Sequence, residues 1–378
     1  MADRVLLHIG APKSGSTFVQ SLLWKHRSAL RGDGLLVPGR TPFDHNLASM
    51  AVRTATAHSR MQHRAAATWQ RLLGRIRQWP GSVVLSNEWF CWAAADGVDR
   101  ALAELAPTPV HLLFTARAIA QQVPAAWQET LKVGSGESID RFVERLDEPG
   151  ARWSWSTIDP AESLVRWARS VPTERVHLAT VPPRGSDPGL LWERVCQVLG
   201  IDAAAYDADS PHANESLGVE SAALLQRAGP QLRDAILDED ADWADPYRWL
   251  RNYLGHQLLV PRRGSAIALP APLVAGLAER AKRSVEVLAA QGYDVVGSLE
   301  DLLLTDQPAG GRSPQEVSDA ELLDVALPLV VELLGEVRRQ TLRAEAAHRR
   351  PQQLDPEQAD PEQASLDAPP VPPRGEPS

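Results

Sequence analysis

A chain of 378 residues is roughly two to three times as long as a typical single domain, so it can bury a large core in one domain or two. This length excludes a disulfide-stapled miniprotein. The 44% hydrophobic and 23% charged residues are ordinary globular values, which exclude wholesale disorder and a bundle of membrane helices. The formal charge of −9 argues against a broad surface for nucleic acid or anionic lipid, so an anionic ligand would need a local site.

The cysteines and the N-terminus bear on metal binding and on compartment. Cys91 and Cys196 lie far apart and have no neighbours at metal-ligand spacing, so we expect two buried apolar side chains and no metal site. The N-terminal segment lacks the long apolar core of a signal peptide, and no apolar run is long enough to span a bilayer. We therefore expect a cytoplasmic protein with no membrane span.

Strands and helices are predicted to alternate along the first 200 residues. Four short apolar runs without alternation predict strands buried on both faces: Val5–Ile9, Ser82–Leu85, Val110–Thr115 and Val176–Val181. Apolar residues at helical spacing predict helices between them: Thr17–Leu30, His45–Ala57, Ala65–Gln78, Val98–Leu105, Ile119–Leu131 and Ala161–Arg169. This alternation predicts an α/β fold with an open parallel sheet flanked by helices, whose ligands bind at the carboxyl ends of the strands. The pattern after Gly200 predicts a mostly helical C-terminal portion.

The C-terminal region predicts a long helix followed by a tail. Ser318 and Glu321 have the spacing of a capping box, and apolar residues follow at helical spacing to about His348. Pro328 should kink this helix or delay its start. The apolar stripe predicts docking on the body of the chain or, alternatively, a homodimer through this helix. Eight prolines and six acidic residues among the last 28 predict a disordered tail. We divide the chain into an α/β domain over 1–310, an amphipathic helix over 311–350 and the acidic, proline-rich tail over 351–378.

The most informative segment follows the first predicted strand and reads Pro12-Lys13-Ser14-Gly15-Ser16-Thr17. A strand that passes through a tight glycine turn into a helix directs backbone amides at one point, which suits a phosphate or a sulfonate. Gly10 and Gly15 have the spacing of a nucleotide-binding P-loop, but Ser16 stands where that motif has its lysine. Lys13 lies in the middle of the loop instead, and it is one of only four lysines in the chain.

This segment resembles the 5′-phosphosulfate loop of sulfotransferases that use 3′-phosphoadenosine 5′-phosphosulfate (PAPS). The loop of that family is typically Pro-Lys-Ser/Thr-Gly-Thr-Thr, and residues 12–17 differ from it by one conservative change. The resemblance implies a fold similar to that of P-loop proteins, PAPS as the co-substrate and transfer without a metal. It also implies that Lys13 reaches the oxygen bridging phosphate and sulfonate, while the amides and hydroxyls of the loop bind the 5′-phosphate.

A second segment carries the same resemblance. The predicted strand Val110–Thr115 leads into Arg117. In the family, a strand that ends in arginine is followed eight residues later by a serine, and both side chains bind the 3′-phosphate. Arg117 fits this pattern, but position 125 is alanine, so one hydrogen bond to the 3′-phosphate would have to come from elsewhere. The later segment Val181-Pro-Pro-Arg-Gly185 resembles bacterial members of the family.

Transfer to a hydroxyl requires a base that takes the acceptor's proton. The carbohydrate-modifying branch of the family uses a glutamate after the second sheet strand, and Glu88 follows the strand Ser82–Leu85 in that way. The aromatic residues next to it, Trp89, Phe90 and Trp92, would provide an apolar wall. Cytosolic members use a histidine, which makes His45 the second candidate.

These observations predict a sulfotransferase that moves the sulfonate of PAPS to a hydroxyl or amine of a carbohydrate, lipid or small metabolite, with no nucleic-acid partner. Two alternatives stay open. Ala125 favours a nucleotide-binding module that has lost its chemistry, and a P-loop kinase is disfavoured because Ser16 replaces the lysine of the motif.

Overall fold

The protein is built on one parallel sheet. A computed structural model describes residues 1–148, 150–209, 216–237, 242 and 244–349. In these residues the sheet contains six strands: β1 Arg4–His8, β2 Leu35–Leu36, β3 Ser82–Ser86, β4 Val110–Ala116, β5 Val176–Thr180 and β6 Asp294–Val296. They are ordered β2-β3-β1-β4-β5-β6, and every pair is parallel. The predicted open parallel α/β fold is confirmed.

Helices flank the sheet and make up most of the chain after β5. In chain order they are α1 Ser16–Lys25, α2 Arg27–Gly32, α3 Phe43–Arg53, α4 Arg60–Gln78, α5 Ala95–Leu105, α6 Ile119–Leu131, α7 Ile139–Arg145, α8 Trp155–Ile158, α9 Pro160–Ala168, α10 Leu190–Leu199, α11 Val219–Ile236, α12 Ala271–Ala290 and α13 Asp319–Arg349. A π-helical segment, Pro246–Leu259, lies between α11 and α12. The helical C-terminal part that the sequence predicts is therefore present.

The core lies on both faces of the sheet, which explains why the strands read as unbroken apolar runs. Val5 and Leu7 of β1 point into one cluster with residues of α3, α4, α5 and α9. Leu6 points into the other, with residues of α1 and α10. Each of these three side chains is fully buried. Because successive residues of a strand point to opposite faces of the sheet, one layer of helices is needed on each face to bury them all.

The predicted strands agree with the observed ones to within a residue or two, and two features differ from expectation. The helix predicted over Thr17–Leu30 is divided at His26 into α1 and α2. Strand β2, which pairs with β3, and strand β6, which pairs with β5, were not among the four predicted runs. They are two and three residues long, so each has too few residues to show a periodicity of its own.

The C-terminal helix begins where its capping box predicts. The Ser318 amide donates to Glu321 Oε2 at 2.9 Å, and the Glu321 amide donates to Ser318 Oγ at 3.3 Å. Helix α13 continues through Pro328, so the proline does not delay its start. The described residues divide into two units at Val325 and Ala326, and the acidic tail over 351–378 lies outside the described residues.

Helix α13 carries many exposed apolar side chains: Leu323, Leu327, Val330, Val331, Leu334, Val337 and Leu342. Exposed apolar side chains in such number are unusual on a surface that contacts only water. The homodimer through this helix stays a prediction.

Candidate functional site

Three chain segments meet where the strand order reverses. Strand β1 lies between β3 and β4, so the chain leaves β1 to one side of the sheet and later returns on the other. In open α/β folds such a reversal leaves a crevice at the carboxyl ends of the strands. Here the loop of residues 9–15 follows β1, Glu88 follows β3 and Arg117 follows β4. The sheet order therefore brings the three predicted segments to one edge.

A cavity of about 470 Å³ opens at this edge. Its basic and acidic side chains are Lys13, Arg117, Lys132, Arg152, Arg251, Glu88 and Glu129. Its other lining residues include Pro12, Gly15, Ser16, Thr17, Phe18, Asn46, Trp89, Ala125, Trp153, Ser216 and Tyr247. Five basic side chains against two acidic ones give this cavity a positive charge within a chain whose formal charge is −9.

The loop after β1 has the backbone of an anion cradle. Lys13 has φ of 68° and Gly15 has φ of 83°, so two residues in the left-handed region frame Ser14. Alternation between left-handed and right-handed conformations turns successive amide groups toward one concave side, which binds anions. Lys13 adopts this conformation although it has a Cβ, at a cost of about 1 kcal/mol or more. The backbone is therefore strained at the residue whose side chain enters the cavity.

A buried polar network fixes this loop to the sheet. His8 at the end of β1 contacts Ser86 Oγ of β3 through Nδ1 at 2.7 Å and Thr115 Oγ1 of β4 through Nε2 at 3.1 Å. Thr115 Oγ1 in turn lies 2.9 Å from Ser14 Oγ, which donates to the Ala11 carbonyl at 2.5 Å. These contacts join three strands to the loop in a region without water access, where a fully satisfied network gives rigidity.

Gly10 leaves the space that this network needs. A Cβ at this position would lie 2.2 Å from Thr115 Oγ1 and 2.9 Å from His8 Nε2. Neither atom can retreat without breaking the contact between the two side chains. The first glycine of the loop is therefore required by the packing beneath the loop, while Gly15 is required by its own positive φ.

The two buried histidines of this region predict acid sensitivity. Burial lowers the pKa of His8 and of His45 from 6.5 to about 4. As the pH falls, these histidines take up protons in the unfolded chain before they do so in the folded protein. Their contribution to the free energy of unfolding is therefore complete above pH 6.5 and is lost as the pH falls toward 4. We expect a loss on the order of 3 kcal/mol per histidine in the free energy of unfolding. Urea unfolding at pH 7.5, 5.5 and 4.5 measures it.

His8→Gln removes one of these two groups and is the control. This variant should be less stable than the wild type at pH 7.5, and its stability should change less over the same pH interval. An equal pH dependence in both proteins would contradict the assignment to His8.

Three cations converge on one buried carboxylate, Glu129 of α6. Glu129 Oε1 lies 3.1 Å from Lys13 Nζ and 3.1 Å from Lys132 Nζ, and Glu129 Oε2 lies 2.8 Å from Arg251 Nε. The side chain of Lys132 is only 1% exposed, and that of Glu129 is 11% exposed. Burial raises the pKa of Glu129, but the neighbouring Lys13, Lys132 and Arg251 outweigh it and hold that pKa well below its usual range. We call Glu129, Lys13, Lys132 and Arg251 the charge cluster.

Sequence reasoning missed three members of the charge cluster. Glu129 and Lys132 have the spacing of an ordinary surface ion pair at the end of a helix. Arg251 lies 122 residues after Glu129, in a segment without a strong pattern. The rarity of lysine is the signal that was available, because two of the four lysines of the chain meet in this cluster.

Arg117 lies beside the loop on the β4 side. Its Nη1 donates to the Lys13 carbonyl at 3.3 Å, and its Nε donates to Gln121 Oε1 at 3.4 Å. Burial and the nearby Arg184 lower the pKa of Arg117 to about 10. Among the described residues, no carboxylate forms an ion pair with Arg117. A half-buried guanidinium near a second arginine is well suited to a dianionic group.

Ala125 of α6 lines the cavity, so the position of the missing serine does face the site. Arg184 belongs to the segment after β5 that resembles bacterial sulfotransferases, and it approaches Arg117 closely enough to affect its pKa. This arginine is a further residue that sequence reasoning did not single out for a binding role.

Glu88 faces the cavity from the β3 side. It begins the 3₁₀ turn Glu88–Trp92, which follows β3, and it is half-buried. Gln20 Nε2 of α1 donates to Glu88 Oε2 at 2.8 Å. No other hydrogen bond to this carboxylate comes from a side chain or amide of the described residues, so Oε1 can accept one from a ligand. Its partner on α1 fixes the orientation of the carboxylate.

His45, the second predicted base, lies elsewhere. It is 1% exposed and is not among the residues that line the cavity. Its Nε2 donates to the Pro38 carbonyl at 2.7 Å, and its Nδ1 accepts the Ser86 amide at 3.2 Å. Both ring nitrogens are used by the backbone, so in this structure the imidazole joins α3 to the end of β3. Pro12, Lys13, Gly15, Ser16, Thr17, Glu88 and Arg117 do line the cavity, and Ser14 is buried beneath the loop.

Comparison with known proteins returns likenesses in structure and none in sequence. No family model and no curated protein sequence matches the chain. A sulfotransferase from Alicyclobacillus acidocaldarius matches with a TM-score of 0.39 and 12% identity, over 64% of this chain and 98% of that one. The sulfotransferase domain from the curacin biosynthetic pathway matches with a TM-score of 0.34 and 15% identity, over 53% of this chain and 75% of that domain. Similarity at this level describes an approximate likeness in fold and nothing more.

Membrane-spanning helices and clusters of metal ligands are both absent from the described residues. No helix there is both long enough and apolar enough to cross a membrane. No group of three or more histidine, cysteine, aspartate or glutamate side chains there has the geometry to bind a metal ion.

Proposed function

We propose that this protein is a sulfotransferase that moves the sulfonate group of PAPS to a hydroxyl or amine of an acceptor. The observation that carries the proposal is the position of Lys13. It lies in a strained loop with the backbone of an anion cradle, in a cavity that also contains Arg117 and Glu88. These residues match, in type and in order along the chain, those that the resemblance implies for the donor and the base.

The donor would lie over β1 and β4. The loop amides and the hydroxyls of Ser16 and Thr17 would bind the 5′-phosphate at the start of α1, where the helix end favours negative charge. Arg117 would bind the 3′-phosphate, with Arg184 as the neighbouring cation in place of the missing serine. The ammonium of Lys13 would lie at the oxygen that bridges phosphate and sulfur.

The transfer step needs two groups of this chain. The acceptor oxygen forms a bond to sulfur while the bond from sulfur to the bridging oxygen breaks, and the electron pair of that bond stays on the bridging oxygen. Glu88 takes the proton of the acceptor hydroxyl through its available Oε1. Lys13 stabilises the negative charge that develops on the leaving oxygen.

The nucleotide specificity provides the test. In EDTA, adenosine 3′,5′-bisphosphate should raise the melting temperature, since at 100 times Kd a ligand adds about 2.7 kcal/mol to the free energy of unfolding. ATP with magnesium should not. Arg117→Gln should reduce the shift, while Arg141→Gln, in an exposed ion pair with Glu144 on α7, should leave it unchanged.

The opposite pattern, a shift with ATP and magnesium alone, would overturn the donor assignment. Ala125 at the cavity wall favours a second candidate, a nucleotide-binding module without catalytic activity. Such a module would show the shift with adenosine 3′,5′-bisphosphate but would consume no PAPS with any sugar, phenol or lipid acceptor.

A further inference from the structure

The cavity continues past the donor region along the β3 side. Trp89 follows Glu88 directly, and Trp153 contacts it with ring centroids 5.5 Å apart in an edge-to-face arrangement. Both indoles line the cavity. Since β3 and β4 lie on opposite sides of β1, this wall is separated from Arg117 by the loop that carries Lys13. It is therefore the part of the cavity that faces the base.

Arg152 stacks on this part of the cavity wall. The guanidinium carbon of Arg152 lies 4.0 Å from the centroid of Trp89, so the cation covers the indole. Stacking uses the face of a guanidinium and leaves its N–H donors, which lie in the plane, available for hydrogen bonds. One of them donates to the hydroxyl of Tyr247, which lies four residues before Arg251 of the charge cluster. The remaining donors of Arg152 have no hydrogen-bond acceptor among the described residues.

No acid of the described residues neutralises this arginine. The ion pairs of these residues do not include Arg152, whereas Arg251 and the two lysines of the charge cluster share Glu129. A second cation lies close by: Arg53 covers Trp92 at 4.8 Å. Burial and the charge of Arg152 lower the pKa of Arg53 to about 10. Arg53 and Arg152 therefore repel each other, and an anion bound to Arg152 would relieve the repulsion.

We propose that the acceptor is an acid, with a carboxylate that pairs with Arg152 and a ring that packs beside Trp89 and Trp153 while its hydroxyl reaches Glu88. This inference rests on the proposed function. A carboxylate matches the two parallel N–H donors of a guanidinium, and an aromatic or sugar ring can pack against the two indoles that line the cavity. Arg152 thereby selects the acceptor, and Lys13 and Arg117 bind the donor.

Matched acids and amides test this proposal. The probes are 4-hydroxyphenylacetate against 4-hydroxyphenylacetamide, and glucuronate against glucuronamide, titrated calorimetrically into the full chain with and without adenosine 3′,5′-bisphosphate. At least one acid should bind about tenfold or more tightly than its amide, because a charge-assisted hydrogen bond is lost in the amide. The pair that shows the preference identifies the ring as aromatic or sugar.

Variants assign the preference to its residue. Arg152→Gln should bind acid and amide equally, Arg152→Lys should retain part of the preference, and Arg141→Gln on the exposed surface of α7 should retain all of it. Equal binding of acid and amide by the wild type, binding of no acid, or an unchanged preference in Arg152→Gln would overturn the proposal.

The nucleotide titration separates this proposal from the donor assignment. If Arg152→Gln weakens adenosine 3′,5′-bisphosphate as strongly as Arg117→Gln does, Arg152 belongs to the donor site and the acceptor proposal fails while the proposed function stands. If the nucleotide does not bind the wild type, the proposed function fails. The acid preference measured without nucleotide then still decides whether Arg152 binds a carboxylate.

Discussion

Replacing Lys13 with methionine should reduce the rate of sulfonate transfer by about 10²–10³-fold, the usual cost of removing one preorganised group at a developing charge. Methionine has a similar length and the same backbone requirement at a φ of 68°, so the variant removes the ammonium and little else. Single-turnover rates with saturating PAPS and a fixed acceptor measure the chemical step. Binding of adenosine 3′,5′-bisphosphate should weaken far less than the rate falls.

Two controls separate the effect of the Lys13 ammonium from the effect of backbone strain at this position. Lys25→Met removes a lysine at the end of α1, where it pairs with the exposed Asp207, and should leave the rate unchanged. Lys13→Gly should be as slow as Lys13→Met but about 1 kcal/mol more stable than it, because glycine accepts positive φ without strain. Transfer at the wild-type rate in Lys13→Met would remove this lysine from the mechanism.

Glu88→Gln should slow transfer by about 10²–10⁴-fold, the range for loss of a general base. The carbonyl oxygen of the new amide can still accept the hydrogen bond from Gln20 of α1, so the side chain should keep its position. Binding of adenosine 3′,5′-bisphosphate should remain within about twofold of the wild type, since nothing in the donor region depends on this carboxylate. The measurement is the rate of PAPS consumption over pH 5.5–8.5 for both proteins.

The exposed Glu174, in the turn before β5, gives the matched control Glu174→Gln, which should behave as the wild type. Full activity in Glu88→Gln would contradict the assignment of the base. His45 would then return as a candidate base only if its hydrogen bonds to the backbone of Pro38 and Ser86 were broken during turnover. His45→Gln at pH 7.5 should mainly lower stability.

Local patterns were enough to predict the four longer strands of the sheet and the loop. The run Val110–Thr115 and the glycine turn at residues 10–15 are each short segments whose structure depends on neighbours in sequence. Glu88 and Arg117 could also be placed, because parallel strands end at the same edge of a sheet. The order of the strands across the sheet could not be predicted from the sequence. This order places Glu88 and Arg117 on opposite sides of β1.

The charge cluster and the hydrogen bond from Arg152 to Tyr247 join residues that are distant in sequence. Glu129 and Arg251 are 122 residues apart, and Arg152 and Tyr247 are 95 apart. No periodicity relates such pairs, and an arginine in a loop is most often a surface residue. His45 shows the opposite case: the resemblance to sulfotransferases made it the second candidate base, but its two backbone hydrogen bonds are visible only in three dimensions.

Glu129 has a consequence for the energy of ligand binding. Without it, Lys13, Lys132 and Arg251 would repel one another in a region where Lys132 has almost no contact with water. The carboxylate acts as a built-in counter-ion that keeps these cations assembled before any ligand arrives. The phosphosulfate of the proposed donor would therefore meet a site already in its charged arrangement, and its binding energy would not be spent on gathering the cations.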